Sequence, residues 1–161
     1  MSEDTPVIEP NRPSDAMLKV INPLIRLLLR SPLGRRMNTQ MLVLTFTGRK
    51  SGRRFELPLT AHRSGGELYV LTGARWQHNF HGGRDADVRL DGHVTPMRGV
   101  LVEDPQQVAE LYARRIAELG IKQASRQIGI KVNVPQPPTA GQILGLVPVQ
   151  HLAAIRLGAR A

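Results

Sequence analysis

The 161-residue chain contains no cysteine. That absence excludes disulfides, thiolate zinc centres, iron–sulfur clusters and a cysteine nucleophile. Aromatic residues are also scarce: one Trp, two Tyr and three Phe. Sequence-tolerant single-strand binders stack bases on aromatic platforms, and only Phe55 lies against the basic run of this chain. No specific nucleic-acid partner is therefore expected. The apolar runs fall short of the ~20 residues that span a bilayer. The first residues, M-S-E-D-T-P-V-I-E-P, are acidic and proline-broken rather than basic then apolar, so they do not read as a secretory leader. A cytoplasmic location is the expectation. The last absence is negative charge, since no Asp or Glu occurs between Asp15 and Glu56.

What fills that interval is cationic: Lys19, Arg26, Arg30, Arg35, Arg36, Arg49, Lys50, Arg53 and Arg54, in a chain of net charge +9. An unopposed positive field draws anions, whether phosphates, acidic lipids or acidic cofactors. The length fits one domain with its own core. Residues 1–13 hold three prolines and no periodicity, and read as a disordered tail ahead of a domain over 14–161. Leu18, Ile21, Leu24/Ile25 and Leu28 recur at helical spacing behind Ser14 and Asp15, with Pro23 kinking or restarting the helix. This amphipathic helix is expected to pack on its own domain. Peripheral contact with an anionic membrane is the alternative.

From residue 41 the period changes. M-L-V-L-T-F-T (41–47) reads as a strand buried on both faces. F-E-L-P-L-T-A-H (55–62) alternates, with Pro58 marking an edge, a bulge or a close approach. R-S-G-G-E (63–67) is a hairpin turn returning into a strand at 68–72, and a short helix fits around Trp76–Phe80. A second hairpin joins 87–90 to 94–103 through D-G-H. Asp104 and Pro105 start a helix that Gly120 stops. After a shorter segment at 121–130 and a proline-rich loop at 134–139, Val147–Leu157 reads as a final strand. Hairpins with helices at the ends predict an α+β domain, mostly antiparallel, around a small barrel or curled sheet.

The segment with the most chemistry is T-G-R-K-S-G-R-R (47–54). It is not a Walker loop: Leu44 stands where the first glycine would be, and no K-[ST] follows Gly52. Strand–turn–strand order also argues against a nucleotide loop that must open a helix. What remains is a turn whose backbone N–H groups and cations can cradle an oxyanion. The histidines at 62, 78, 81, 93 and 151 are scattered. A metal site through His78 and His81 would need Asp85 or Asp87, and solvated or capping roles fit these histidines better. No metal is expected. Ser51 has no base or oxyanion arrangement to make it a nucleophile. An enzyme of this composition would borrow its reactivity from a cofactor.

L-T-F-T-G-R-K-S-G-R-R-F-E-L-P-L (44–59) resembles the signature of the deazaflavin-dependent, nitroreductase-like oxidoreductases of actinobacteria, which use coenzyme F420. R-W-Q-H-N-F-H-G-G (75–83) is similar to that family's W-x-x-N-L-x-G-G block, and Asp87–Leu90 and E-D-P-Q-Q-V-A-E-L (103–111) follow in the same order. The resemblance spans roughly residues 20–157. It implies a split β-barrel of the FMN-binding kind with a deazaflavin in a groove beside it. It implies that Arg49, Lys50 and Ser51, on the Gly52 turn, hold the coenzyme's phosphate and acidic tail. Leu57 and Pro58 would line the ring edge. Thr72, Gly73, Ala74 and Arg75 would pass their backbone along the ring, Trp76 would flank it, and Asn79 would help fix the ligand. Phe55 stands where the family often has an arginine, with Arg53 or Arg54 able to replace it. The implied activity is hydride transfer from F420H2 to a small organic acceptor such as a quinone, nitro compound or activated alkene, by a monomer or homodimer. An FMN- or haem-binding barrel, a coenzyme carrier without turnover, and a basic RNA or lipid module are the alternatives.

Overall fold

The computed structural model describes residues 5–10, 41–128 and 130–159. The helix expected behind Ser14, and the cations Lys19, Arg26, Arg30, Arg35 and Arg36, lie outside the described residues.

Seven strands form one antiparallel sheet: β2 (Met41–Thr47), β3 (Arg54–Thr60), β4 (His62–Ser64), β5 (Glu67–Thr72), β6 (Arg84–Leu90), β7 (His93–Leu101) and β9 (Ala153–Ala159). Their order is β3-β2-β6-β7-β9-β5-β4. Only Ala61 separates β3 from β4, yet these two strands end opposite edges of the sheet. The sheet therefore has to curl round on itself, which gives the α+β split-barrel architecture. Pro58 lies on β3, an edge strand, where its missing donor breaks no second ladder.

Period-two alternation separates two cores. Leu68 and Val70 of β5, with Ile155 and Leu157 of β9, face the barrel interior beside Leu42, Leu44, Phe46 and Val88. Tyr69, Leu71 and Ala154 face outward onto the helices α1 (Pro105–Leu119), α2 (Ile121–Ile128), α3 (Ala140–Leu144) and α4 (Leu146–Val149). Helix α1 starts as its sequence dictates. The Asp104 side chain accepts from the Gln106 N–H at 3.0 Å, Pro105 follows, and Gly120 with φ of 80° ends it.

Three sequence expectations need correction. Residues 8–10, expected within a disordered tail, form β1 (Ile8–Pro10) antiparallel to β8 (Ile130–Val132), with Ile8 fully buried in the helical core. The burial of one isoleucine and three paired residues overrides the local proline signal. The span Val147–Leu157 is not one strand. Leu146–Val149 is helical, His151 takes φ of 54°, and β9 begins at Ala153. Lastly, His62 is not a solvated or capping histidine but is buried on β4, where its Nδ1 accepts from Arg115 Nε at 2.8 Å.

Candidate functional site

The basic turn and the short 3-10 helix Arg75–Phe80 lie at the same end of the barrel. In the turn, Gly48 N–H donates to Arg53 O at 2.8 Å and Gly52 N–H to Gly48 O at 3.1 Å, with Gly52 at φ of 68°. A β-carbon at Gly48 would come within 2.9 Å of the Phe55 ring and 3.0 Å of Ser51 Oγ, so this position admits only glycine without a shift.

Cross-links to the 3-10 helix, to Gly83 and to the start of β6 hold the turn in place. Arg49 N–H donates to Asn79 Oδ1 at 2.9 Å, and the Arg49 guanidinium donates to Gly83 O at 3.0 Å. Arg84 Nε donates to Thr47 O at 2.8 Å, and Asn79 Nδ2 to Trp76 O at 2.9 Å. Between the two segments opens a cleft of about 710 Å³. Arg49, Lys50, Ser51, Arg75 and Asn79 line it, as do Gly48, Phe55, His78 and His81. Among the described residues no carboxylate lines it. Glu103 lies against one lining residue, its carboxylate 2.6 Å from His81 Nδ1.

Beneath the cleft lie all three phenylalanines and the single tryptophan. Phe46 stacks on Phe55 with centroids 5.0 Å apart, meets Phe80 edge-on at 4.8 Å, and lies 5.9 Å from Trp76. Four of the six aromatics are thus concentrated at one place, giving the cationic cleft an apolar, partly exposed floor at Phe55.

Not every expected site residue converges here. Arg53 lies over the Phe55 ring at 5.8 Å. Arg54 alternates with Phe55 and points to the outer face, where it lines another cavity with Thr45 and Asp87. Leu57 packs in the barrel interior, and Pro58 takes the opposite face of β3. Thr72 is buried and its hydroxyl accepts from Ala74 N–H at 3.0 Å, while Ala74 O accepts from Gln77 Nε2 at 2.9 Å. The polar groups of Ala74 therefore brace the loop through Gly73 and are already engaged. Trp76 is half-buried against Phe46 and Phe80. Phe55, His78 and His81 are cleft residues that were not expected. Strand alternation from Arg54 could have indicated Phe55, whereas the histidines carry no sequence signal for a cleft. Among the described residues no three His, Asp or Glu side chains converge as a metal site, and no helix is long and apolar enough to cross a membrane.

Comparison with known proteins adds to this geometry. No curated protein matches the chain. Two solved structures align weakly. One, described only as a domain-swapped dimer, is 14% identical over 89% of this chain and 99% of its own, with a TM-score of 0.42. The other, the conserved hypothetical protein Rv2991 from Mycobacterium tuberculosis, is 12% identical over 94% of this chain and 84% of its own, with a TM-score of 0.43. The family model for F420H(2)-dependent quinone reductase matches residues 27–135. That match takes in both segments that wall the cleft, and this chain belongs to the F420H(2)-dependent quinone reductase family.

Proposed function

We propose that the cleft binds coenzyme F420 and that the protein reduces a quinone, or a comparably electron-poor nitro compound or alkene, placed beside it. The family fixes the deazaflavin, in preference to FMN or haem, and an oxidoreductase class. The acceptor and the residue roles are our reading. The observation that carries them is a cationic cleft, with no carboxylate among its described lining residues, laid against the Phe46–Phe55–Trp76–Phe80 cluster. A deazaflavin coenzyme has a flat ring at one end and a phosphate with several carboxylates at the other, which matches that polarity.

When bound, F420H2 supplies the hydride; the protein's residues position and shield. Lys50 and Arg75 reach the cleft with no ion pair to another described residue, so their charge is available to the acidic tail. Ser51 and the turn's backbone frame the phosphate end. Phe55 offers a flat apolar surface on which a ring can rest and from which water is excluded. Arg49 and Asn79 act mainly by holding the turn against the 3-10 helix. Orientation of two reactants at short range is the catalytic contribution of such a site.

The test is oxidation of F420H2 by the full chain, followed optically, with menadione, a nitroimidazole and an enone supplied in turn. The proposal expects turnover with menadione and a raised KM for F420H2 in Lys50→Ala. Binding without turnover on any of the three acceptors would reduce the protein to a coenzyme carrier.

A further inference from the structure

The barrel has two ends, and the cleft occupies only one of them, beyond Thr47 and Thr72. At the other end, where β5 and β7 begin and β9 finishes, a second cavity of about 370 Å³ opens. That volume falls within the ~300–1,000 Å³ of small-molecule sites. Its walls are barrel-interior side chains: Leu68, Val88, Leu90, Met97 and Leu157. Thr95 shows that this mouth is open. It pairs with buried Val88 and so shares the inward face, yet it is itself exposed.

The rim carries an unbalanced charge. Glu67 already accepts from the Tyr69 hydroxyl at 2.8 Å and lies 4.0 Å from an Arg156 guanidinium nitrogen. Arg63, also on the cavity wall, pairs with Leu68 across the β4–β5 ladder and so lies on the same face as that leucine. It is exposed and forms no ion pair with another described residue. A cationic ligand would meet two guanidiniums here, and a neutral hydrocarbon would leave Arg63 unused. A nucleotide would find too few polar walls.

We propose that this mouth is a second ligand site, taking a single-chain amphiphilic carboxylate with its hydrocarbon against Leu68, Val88 and Met97 and its head on Arg63. The site does not depend on the coenzyme assignment. The seven residues of β6, Arg84–Leu90, separate the two ends by ~20 Å.

Amide NMR spectra of the full chain titrated with decanoate test it, with decanol as the neutral control. Decanoate is expected to shift Leu68, Thr95, Met97 and Leu157 while Arg49–Ser51 stay put. Arg63→Ala, and Thr95→Phe to fill the mouth, should each weaken decanoate by about tenfold. Preserved amide dispersion in both variants shows that the fold is intact. Equal affinity for decanol, shifts centred on the basic turn, or undiminished binding to folded Thr95→Phe would overturn the proposal. Binding to phosphatidylglycerol vesicles that decanoate fails to compete would overturn it too, in favour of a membrane surface.

Discussion

Arg49 and Lys50 are neighbours in sequence, yet only the Arg49 guanidinium has a described protein partner, the Gly83 carbonyl. The two substitutions should therefore read differently. Lys50→Ala removes a charge offered to the ligand and should weaken F420 by about 10- to 100-fold, the equivalent of one charge-assisted contact. Its melting temperature should not change. Arg49→Ala should lower both affinity and melting temperature, because it also unties the turn. Fluorescence titration beside calorimetry separates the two effects. His62 is a different case. Burial, reinforced by the Arg115 charge, lowers its pKa from 6.5 to about 3. The folded protein keeps this imidazole neutral, with Nδ1 accepting from Arg115, while the unfolded chain takes up a proton below pH 6.5. Stability is therefore lost as pH falls from 6.5 towards 3, by about 1.4 kcal/mol per unit at most. Urea midpoints at pH 7 and pH 5 should differ more for the wild type than for His62→Gln, which keeps an acceptor without titrating. An equal acid sensitivity would show that His62 is not the group responsible.

At the scale of elements, the packing of the 3-10 helix on β7 is the tightest joint beneath the cleft. A β-carbon at Gly99 would approach Phe80 Cδ1 to 2.5 Å and Ile155 Cγ2 to 3.2 Å. Gly99→Ala should therefore displace Phe80, destabilise the fold by roughly 1–3 kcal/mol and disturb the aromatic floor through Phe46. A denaturant midpoint unchanged from wild type would contradict this. Asp104→Ala should cost about 1 kcal/mol through the lost α1 cap, with no effect on coenzyme affinity. Local signals made many of these elements legible. Asp104, Pro105 and Gly120 bound α1, and the β2 run stands out by its apolar, β-branched composition. The β1–β8 pair was not legible, because three-residue strands separated by more than a hundred positions carry no periodic pattern. The Val147–Leu157 span has a different root: Pro148 and the polar pair Gln150–His151 interrupt the apolar run, and they mark where Leu146–Val149 turns helical ahead of β9.

For the whole molecule, the cationic character of the basic turn was legible because charge density is a property of sequence. Which segments meet around the cleft is a property of the curl, which brings Arg75, His78 and His81 to the turn, whereas alternation along β3 divides Arg54 and Phe55 between opposite faces. The net charge of +9 adds a long-range attraction for an acidic coenzyme. Raising salt should therefore slow F420 association more than it speeds dissociation, a difference that stopped-flow fluorescence can resolve. The central claim is that the bend at Gly48–Arg53 grips the acidic tail while the flat head lies over Phe55. A crystal structure of the full chain with F420 tests it most directly. The account predicts the tail phosphate within hydrogen-bonding distance of Lys50 and the ring against Phe55. A tail directed to the opposite end of the barrel, with Lys50 left in solvent, would contradict it.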